Sequence, residues 1–160
     1  MVKKYRGEAV KEIVDYGVLG FLIFLSVVAL GVTFERMWVY YHIDVAKFDD
    51  KRILELVLHK RLTIIATIGS NAPYIGLLGT VFGIMVTFVE IGSNALIDTQ
   101  SIMVGLSLAL KATAAGLIVA IPSIVFYNFL LRKTEVILSL WDIEHNPPLQ
   151  KSKTPTKYNV

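Results

Sequence analysis

The chain has 160 residues, of which 54% are hydrophobic and 18% are charged, with 16 basic residues, 13 acidic residues and no cysteine. A soluble domain usually carries about 25% charged residues, so the composition argues against a soluble globular domain. The lack of cysteine excludes disulfides and thiolate metal sites. We attribute the pI of about 9.1 to basic residues that set membrane topology, and not to nucleic-acid binding.

Three long segments contain no Asp, Glu, Lys or Arg. They are 19 residues from 16 to 34, 28 residues from 62 to 89 and 20 residues from 112 to 131. A transmembrane helix needs roughly 20 predominantly apolar residues. The sequence therefore predicts an all-α membrane protein with three spans, of which the second and third helices are long.

The N-terminal part of the chain is predicted to form two units. Residues 1–15 mix seven charged residues with apolar ones, a pattern typical of an amphipathic helix on the membrane interface. Residues 16–41 are the first span, and Trp38, Tyr40 and Tyr41 near its end are typical of an interfacial aromatic belt. No small-residue cleavage site follows the apolar run, so we do not interpret it as a cleaved signal peptide.

The remaining segments follow from the distribution of charge. We predict a cytoplasmic helix and loop over 42–62, the second span over 63–92, a periplasmic loop over 93–100, the third span with a cytoplasmic extension over 101–145, and a disordered cytoplasmic tail over 146–160. The side of the membrane with the N-terminus carries four basic residues and the opposite side carries eleven. Because basic residues are enriched on the cytoplasmic side, the N-terminus is predicted to be periplasmic and the C-terminus cytoplasmic.

Small and polar residues form a stripe along each of the last two spans. The stripe of the second span comprises Gly69, Pro73, Gly76, Thr80, Gly83, Thr87 and Glu90, and that of the third comprises Ala109, Thr113, Gly116, Ala120, Ser123 and Tyr127. Residues three and four apart share one face of a helix. Thr80 lies 16 residues before Leu96, near the centre of the connecting loop, and Thr113 lies 17 after it. Both hydroxyls are therefore expected at one depth, near the middle of the membrane.

The stripes admit two interpretations. Gly and Ala stripes in membrane helices usually serve close packing, and an intramembrane threonine often bonds to its own helix backbone. Two hydroxyls at one depth could instead line a narrow polar path. The stripe pattern alone favours packing. Pro73 is similarly open between a kink, a helix start and a gating hinge.

Lys111 is the one basic residue inside a predicted span. An ionisable residue at such a depth is a candidate for function. It lies two residues, or about 200°, from Thr113 and so should face away from the stripe. Two roles remain open: a long side chain that extends to the interface or pairs with a carboxylate of a neighbouring helix, and a direct role in ion movement.

The chain offers little for other kinds of chemistry. The uncharged parts of the second and third spans contain no acidic residue, so a proton relay there would need a titrating group from another protein. His42, His59 and His145 are scattered over non-membrane segments without ligand spacing, so we predict no metal site. We find no phosphate loop, no nucleophile beside a base and no carboxylate pair, and therefore predict neither enzymatic activity nor a cofactor.

Two motifs carry a family resemblance. The run from Ala72 to Met85, APYIGLLGTVFGIM, and the run from Ala109 to Leu117, ALKATAAGL, continue through Ala120-Ile121-Pro122 to Tyr127-Asn128. Together they resemble the signature of the ExbB/TolQ/MotA proton-channel family, and the three-span plan extends the similarity over most of the chain. The branch that works with TonB fits best.

The resemblance implies an assembly and a set of site residues. The chain would form a homo-oligomeric ring in the bacterial inner membrane, with a pentamer favoured, around an ExbD-like single-span protein that supplies the titrating Asp. Proton flow would energise a TonB-like protein for uptake across the outer membrane. The implied pore-lining residues are Thr80, Thr113, Thr87, Gly83 and Gly116. The implied packing or hinge residues are Pro73, Gly76, Gly79 and Pro122, and Lys111 is an inter-helix charge.

The sequence also departs from the family pattern. Many members carry a Glu where this chain has Leu108, so a role assigned to that acid cannot be transferred. The segment between spans one and two is short, which removes surface that larger relatives could use for partners. MotA itself has four spans, which disfavours a flagellar stator. The alternatives are a TolQ-like subunit of the Tol-Pal system and a non-conducting membrane scaffold.

Overall fold

A computed structural model describes residues 2–93 and 99–146, with the side chains of residues 16–89, 91, 92, 99, 100 and 102–146. The elements are helix α1 (Val2–His42), a 3-10 turn (Val45–Lys47), helix α2 (Lys51–His59), helix α3 (Leu62–Ser93) and helix α4 (Thr99–His145). No strand occurs in these two described ranges. Three helical segments are long and apolar enough to cross a membrane, which confirms the predicted all-α, three-span fold.

The helix bounds can be compared with the predicted segments. Helix α1 continues through residue 15, so the predicted interfacial segment and the first span belong to one helix. The side chains of residues 1–15 lie outside the described set, and their place at the interface stays a prediction. The loop over 94–98 and the tail over 147–160 also lie outside the described residues. Pro73 lies inside α3 and Pro122 inside α4, so Pro73 does not start a helix.

Helices α3 and α4 form an antiparallel hairpin whose contact runs along the small-residue stripes. Gly69 meets Ser123 and Ile124, and Gly76 meets Gly116. In these three pairs the two residue numbers add up to 192 or 193, and Gly83 with Ala109 also gives 192, so the register is constant along the hairpin. Because glycine has no side chain, the two helix backbones can approach closely, which is how small residues promote helix association in membranes.

Helix α1 packs along one side of this hairpin. Its buried residues Leu22 and Ala29 join Ile68 and Ala72 of α3 and two residues of α4 in one cluster. Val18 lies beside both Gly79 and Ala112. On the surface of α1 that faces away from the hairpin, the large exposed side chains are apolar: Phe21, Ile23, Phe24, Val27, Leu30 and Phe34. That outer surface suits contact with lipid.

The end of the bundle where α1 stops, called the basal end below, is closed by α2. Leu54 and Leu58 of α2 pack against Trp141 of α4. The Trp141 indole Nε1 donates to the Phe48 carbonyl at 2.7 Å, and Lys51 pairs with Asp142 at 2.5 Å. These contacts tie the short segment between the first two spans to the last turns of α4.

Side chains of α1 and α4 fix the corner between α2 and α3. The last carbonyls of a helix lack partners within it, and here the Val57 carbonyl accepts from the Arg36 guanidinium at 3.3 Å. The Leu58 carbonyl accepts from the Tyr40 hydroxyl at 2.6 Å, and the buried Thr134 hydroxyl donates to Tyr40 at 3.0 Å. Tyr40 therefore links α1, α2 and α4 at one point.

Replacing Tyr40 by phenylalanine is expected to destabilise the fold by roughly 1–3 kcal/mol, because it leaves a buried hydroxyl and a carbonyl without their partner. Thermal unfolding of the purified protein in detergent would measure the loss. The matched control is Tyr41→Phe, since Tyr41 is 87% exposed and makes no hydrogen bond within the described residues. Equal melting temperatures for the two variants would contradict the linking role.

Candidate functional site

The centre of the α3–α4 contact is a pair of threonines. The Thr80 and Thr113 hydroxyls are in direct hydrogen-bond contact. The Thr80 hydroxyl also lies 3.1 Å from the Ala109 carbonyl and 3.3 Å from the Gly76 carbonyl, and the Thr113 hydroxyl lies 3.4 Å from the Gly76 carbonyl. Thr80 is buried, whereas Thr113 is partly exposed. Two hydroxyls and two carbonyls thus form one small oxygen cluster.

This cluster allows two hydrogen-bond arrangements. Each hydroxyl has one proton to donate and can also accept. In one arrangement Thr113 donates to Thr80, which donates to the Ala109 carbonyl. In the other, Thr80 donates to Thr113, which donates to the Gly76 carbonyl. Switching between them reverses the polarity of the pair.

The glycines around the pair make its geometry possible. A Cβ atom on Gly76 would lie 2.6 Å from the Ala112 carbonyl, and one on Gly116 would lie 2.6 Å from the Ala72 carbonyl. A Cβ on Gly83 would lie 2.7 Å from the Ala109 Cβ atom. Both helix backbones are therefore in near contact on either side of the threonines.

The other predicted site residues lie near the α3–α4 contact, and each has its own set of neighbours. Gly83 and Gly116, predicted to line a pore, lie in the α3–α4 contact of the single chain. Gly79 contacts Val18 of α1 as well as Ala112. The buried Thr87 hydroxyl bonds to the Gly83 carbonyl of its own helix at 2.9 Å. Of the predicted site residues whose side chains the structure describes, Thr80 and Thr113 alone bring two hydroxyls together.

The register of the three helices gives the level of the pair. Val18 and Ala112 both lie against Gly79, and the Tyr40 and Thr134 hydroxyls are hydrogen-bonded, so the two pairs share an offset of 94 residues. Thr113 is therefore level with residue 19, about 28 Å along the axis from Trp38. On all three uncharged runs this level is nearer to the α3–α4 loop than to the basal end. The depth of the pair near the middle of the membrane stays a prediction.

Lys111 lies apart from the threonine pair. Its side chain is exposed on α4, and it forms no ion pair with any carboxylate whose side chain is described. The neighbouring Leu108 is partly buried. The single chain therefore offers the lysine no counter-charge among its described side chains.

The sequence patterns did not identify the backbone carbonyls that belong to the site. The carbonyls of Gly76 and Ala109 complete the oxygen cluster, and no residue-type pattern marks a carbonyl as an acceptor. The sequence patterns also missed Arg36, Tyr40 and Thr134 at the basal end, which meet only through tertiary contacts. A buried arginine in a membrane helix is the one signal that could have directed attention there.

Comparison with known proteins shows the family of this chain. Residues 49–143 match the model of the MotA/TolQ/ExbB proton channel family. The biopolymer transport protein named ExbB-like 2 of Helicobacter pylori is 61% identical over 137 residues, which cover 86% of this chain and 91% of that protein. The biopolymer transport protein ExbB of Aquifex aeolicus is 55% identical over 138 residues, covering 86% of this chain and 93% of its own. The chain belongs to the MotA/TolQ/ExbB proton channel family.

Proposed function

We propose that this chain is the proton-channel subunit of an inner-membrane complex that uses the proton-motive force to energise TonB-dependent uptake across the outer membrane. The observation that carries the proposal is the oxygen cluster around Thr80 and Thr113. It lies inside the apolar hairpin, and its two hydrogen-bond arrangements have opposite polarity, which supports a role in proton transfer. The ExbB names of the close relatives favour this role over a TolQ-like one.

The threonine pair lies on the side of the hairpin that α1 leaves open. On α3, Gly79 faces α1, and Thr80 lies 100° further round, beyond the contact with α4. On α4, Ala115 and Val119 pack against α1, while Thr113 lies on the opposite side of the contact. A partner helix that approaches this open side would meet the partly exposed Thr113 hydroxyl first.

The acid of the proton path is expected to come from that partner. The uncharged runs 62–89 and 112–131 contain no carboxylate, and hydroxyl groups do not titrate near neutral pH. An ExbD-like single-span protein with an intramembrane Asp would supply the missing group. Several copies of this chain, with a pentamer favoured, would surround it as a ring, with Thr87 and Gly83 beside the path and Pro73 and Pro122 as candidate hinges. The N-terminus would be periplasmic and the C-terminus cytoplasmic.

Complementation separates this role from its nearest alternative. The gene, expressed with its ExbD-like partner, should restore growth on an iron chelate to a bacterium that lacks its own TonB-linked channel subunit. It should not restore detergent resistance to a strain that lacks the corresponding Tol-Pal subunit. Rescue of the second strain alone would identify a TolQ-like subunit instead.

Lys111→Met is expected to weaken the ring and to leave the proton path intact, because Lys111 is exposed on α4 and lies about 200° round the helix from Thr113. Native mass spectrometry at increasing collision energy would show earlier dissociation of the variant ring. Proton flux per intact complex should stay within about twofold of wild type. A ring of normal stability with lost flux would show that the lysine acts in conduction.

A further inference from the structure

Two exposed polar surfaces near the basal end of the uncharged runs have no hydrogen-bond partner among the described residues. On α3, Thr63 and Thr67 are exposed, and on α4, Asn128 is exposed. The two threonine hydroxyls and the Asn128 amide form no hydrogen bond within the described structure. In contrast, Thr33 and Thr87 bond back to their own helices at 2.7 and 2.9 Å. These free groups carry an energetic cost wherever they face lipid.

Both polar surfaces lie at the same level. The constant register of the α3–α4 hairpin puts Asn128 level with residues 64 and 65 of α3, between Thr63 and Thr67. Thr67 is nine residues from Gly76, or half a turn out of phase, so it points away from the chain's own α4. Asn128 is twelve residues from Gly116 and lies about 120° round α4 from its contact with α3. Within one chain the two surfaces therefore cannot meet.

We propose that these surfaces meet between neighbouring copies, with Asn128 of one copy hydrogen-bonded to Thr63 and Thr67 of the next. Rotation about the membrane normal keeps every residue at its depth, so it brings an α4 surface to the α3 surface at the same level. The amide donates two protons and accepts at its oxygen, which satisfies both hydroxyls. Because the two surfaces differ, the contact is heterologous and closes into a ring. The inference rests on the ring assembly of the proposed function and adds the residues that bind one copy to the next.

The alternative occupants fit less well. Lipid chains offer no hydrogen-bonding group. The large exposed side chains near Asn128 are apolar, namely those of Val125 and Phe129. A symmetric contact of α3 with α3 would leave Asn128 unsatisfied. A single-span partner at the centre of a ring would lie on the open side of the hairpin near Thr113, and Thr67 is turned well away from it.

Disulfide cross-linking tests the contact directly, since the natural chain contains no cysteine. The full chain with its ExbD-like partner, carrying Thr67→Cys and Asn128→Cys, would be oxidised in native membranes with copper phenanthroline. The expected result on non-reducing gels is a ladder of dimer, trimer and larger species that reducing agent abolishes. Each single variant should stay monomeric, because one cysteine per chain cannot bridge a heterologous contact.

The matched control is Met85→Cys with Asn128→Cys. Met85 is exposed and lies 18 residues, or five full turns, from Thr67, so it occupies the same face about 27 Å away. This pair should give no ladder. If the Thr67 variant does not accumulate, Thr63→Cys with Asn128→Cys provides a second pair at the same level.

Several outcomes would overturn the inference. These are an intact ring with no ladder from either matched pair, equal ladders from the Met85 control, dimers from a single variant, or cross-links to a protein of another mass. None of these results depends on proton flux. The interface can therefore fail while the proposed channel function stands, and the reverse also holds.

Discussion

Thr80→Val and Thr113→Val are each expected to lower proton flux by roughly 100-fold or more, the usual effect of removing a positioned proton-transfer group. Valine keeps the shape of threonine and deletes the hydroxyl, so neither of the two hydrogen-bond arrangements can form. The stability cost should be only about 0.5–1.5 kcal/mol, so assembly should persist. Flux into liposomes and uptake of an iron chelate by cells would measure the effect.

Two controls separate loss of the proton path from loss of structure. Thr33→Val removes an equally buried hydroxyl that bonds only to the Ala29 carbonyl of its own helix at 2.7 Å, and it should leave flux near wild type. Thr80→Ser restores a hydroxyl and should recover most of the flux. Full uptake by both valine variants would show that the threonine pair serves packing alone.

Gly76→Ala is expected to disrupt the hairpin. The added Cβ would lie 2.6 Å from the Ala112 carbonyl and 3.1 Å from the Cα atoms of Gly116 and Thr113. These are backbone atoms that cannot turn aside, so α3 and α4 must separate. Overpacking of this kind costs typically about 1–3 kcal/mol. The separation should also pull the two hydroxyls apart, so proton flux should fall together with stability.

The matched control for Gly76 is Gly31→Ala. A Cβ on Gly31 meets nothing within 4 Å, and alanine favours helix over glycine by up to about 1 kcal/mol. Thermal unfolding in detergent should therefore show Gly31→Ala at or above wild type and Gly76→Ala clearly below it. A Gly76→Ala variant as stable and as active as wild type would contradict the tight contact.

The hairpin could be predicted from sequence because the residues that define it lie close together in the chain. Helical periodicity places Gly76, Thr80 and Gly83 on one face, and the midpoint of the loop near Leu96 sets the register against Thr113. The structure accordingly brings the two threonines into hydrogen-bond contact. The glycine contacts hold the helices close enough for the hydroxyls to meet, whereas the polar path stays a proposal.

What could not be predicted depends on where α1 lies. No periodicity shows which side of the hairpin α1 covers, so the open side at Thr113 emerges only from tertiary contacts such as Val18 against Gly79. The same holds for the basal end. There Tyr40 meets residues that are 18 and 94 positions away in the chain.

We propose that Thr80 and Thr113 form half of a proton path that needs an acid from a partner helix. Proton flux under an imposed membrane potential would be measured in liposomes with this chain alone, with its ExbD-like partner, or with the partner's intramembrane Asp changed to Asn. We expect flux only with the unmodified partner. Equal flux from this chain alone, or from the complex with the Asp changed to Asn, would contradict it.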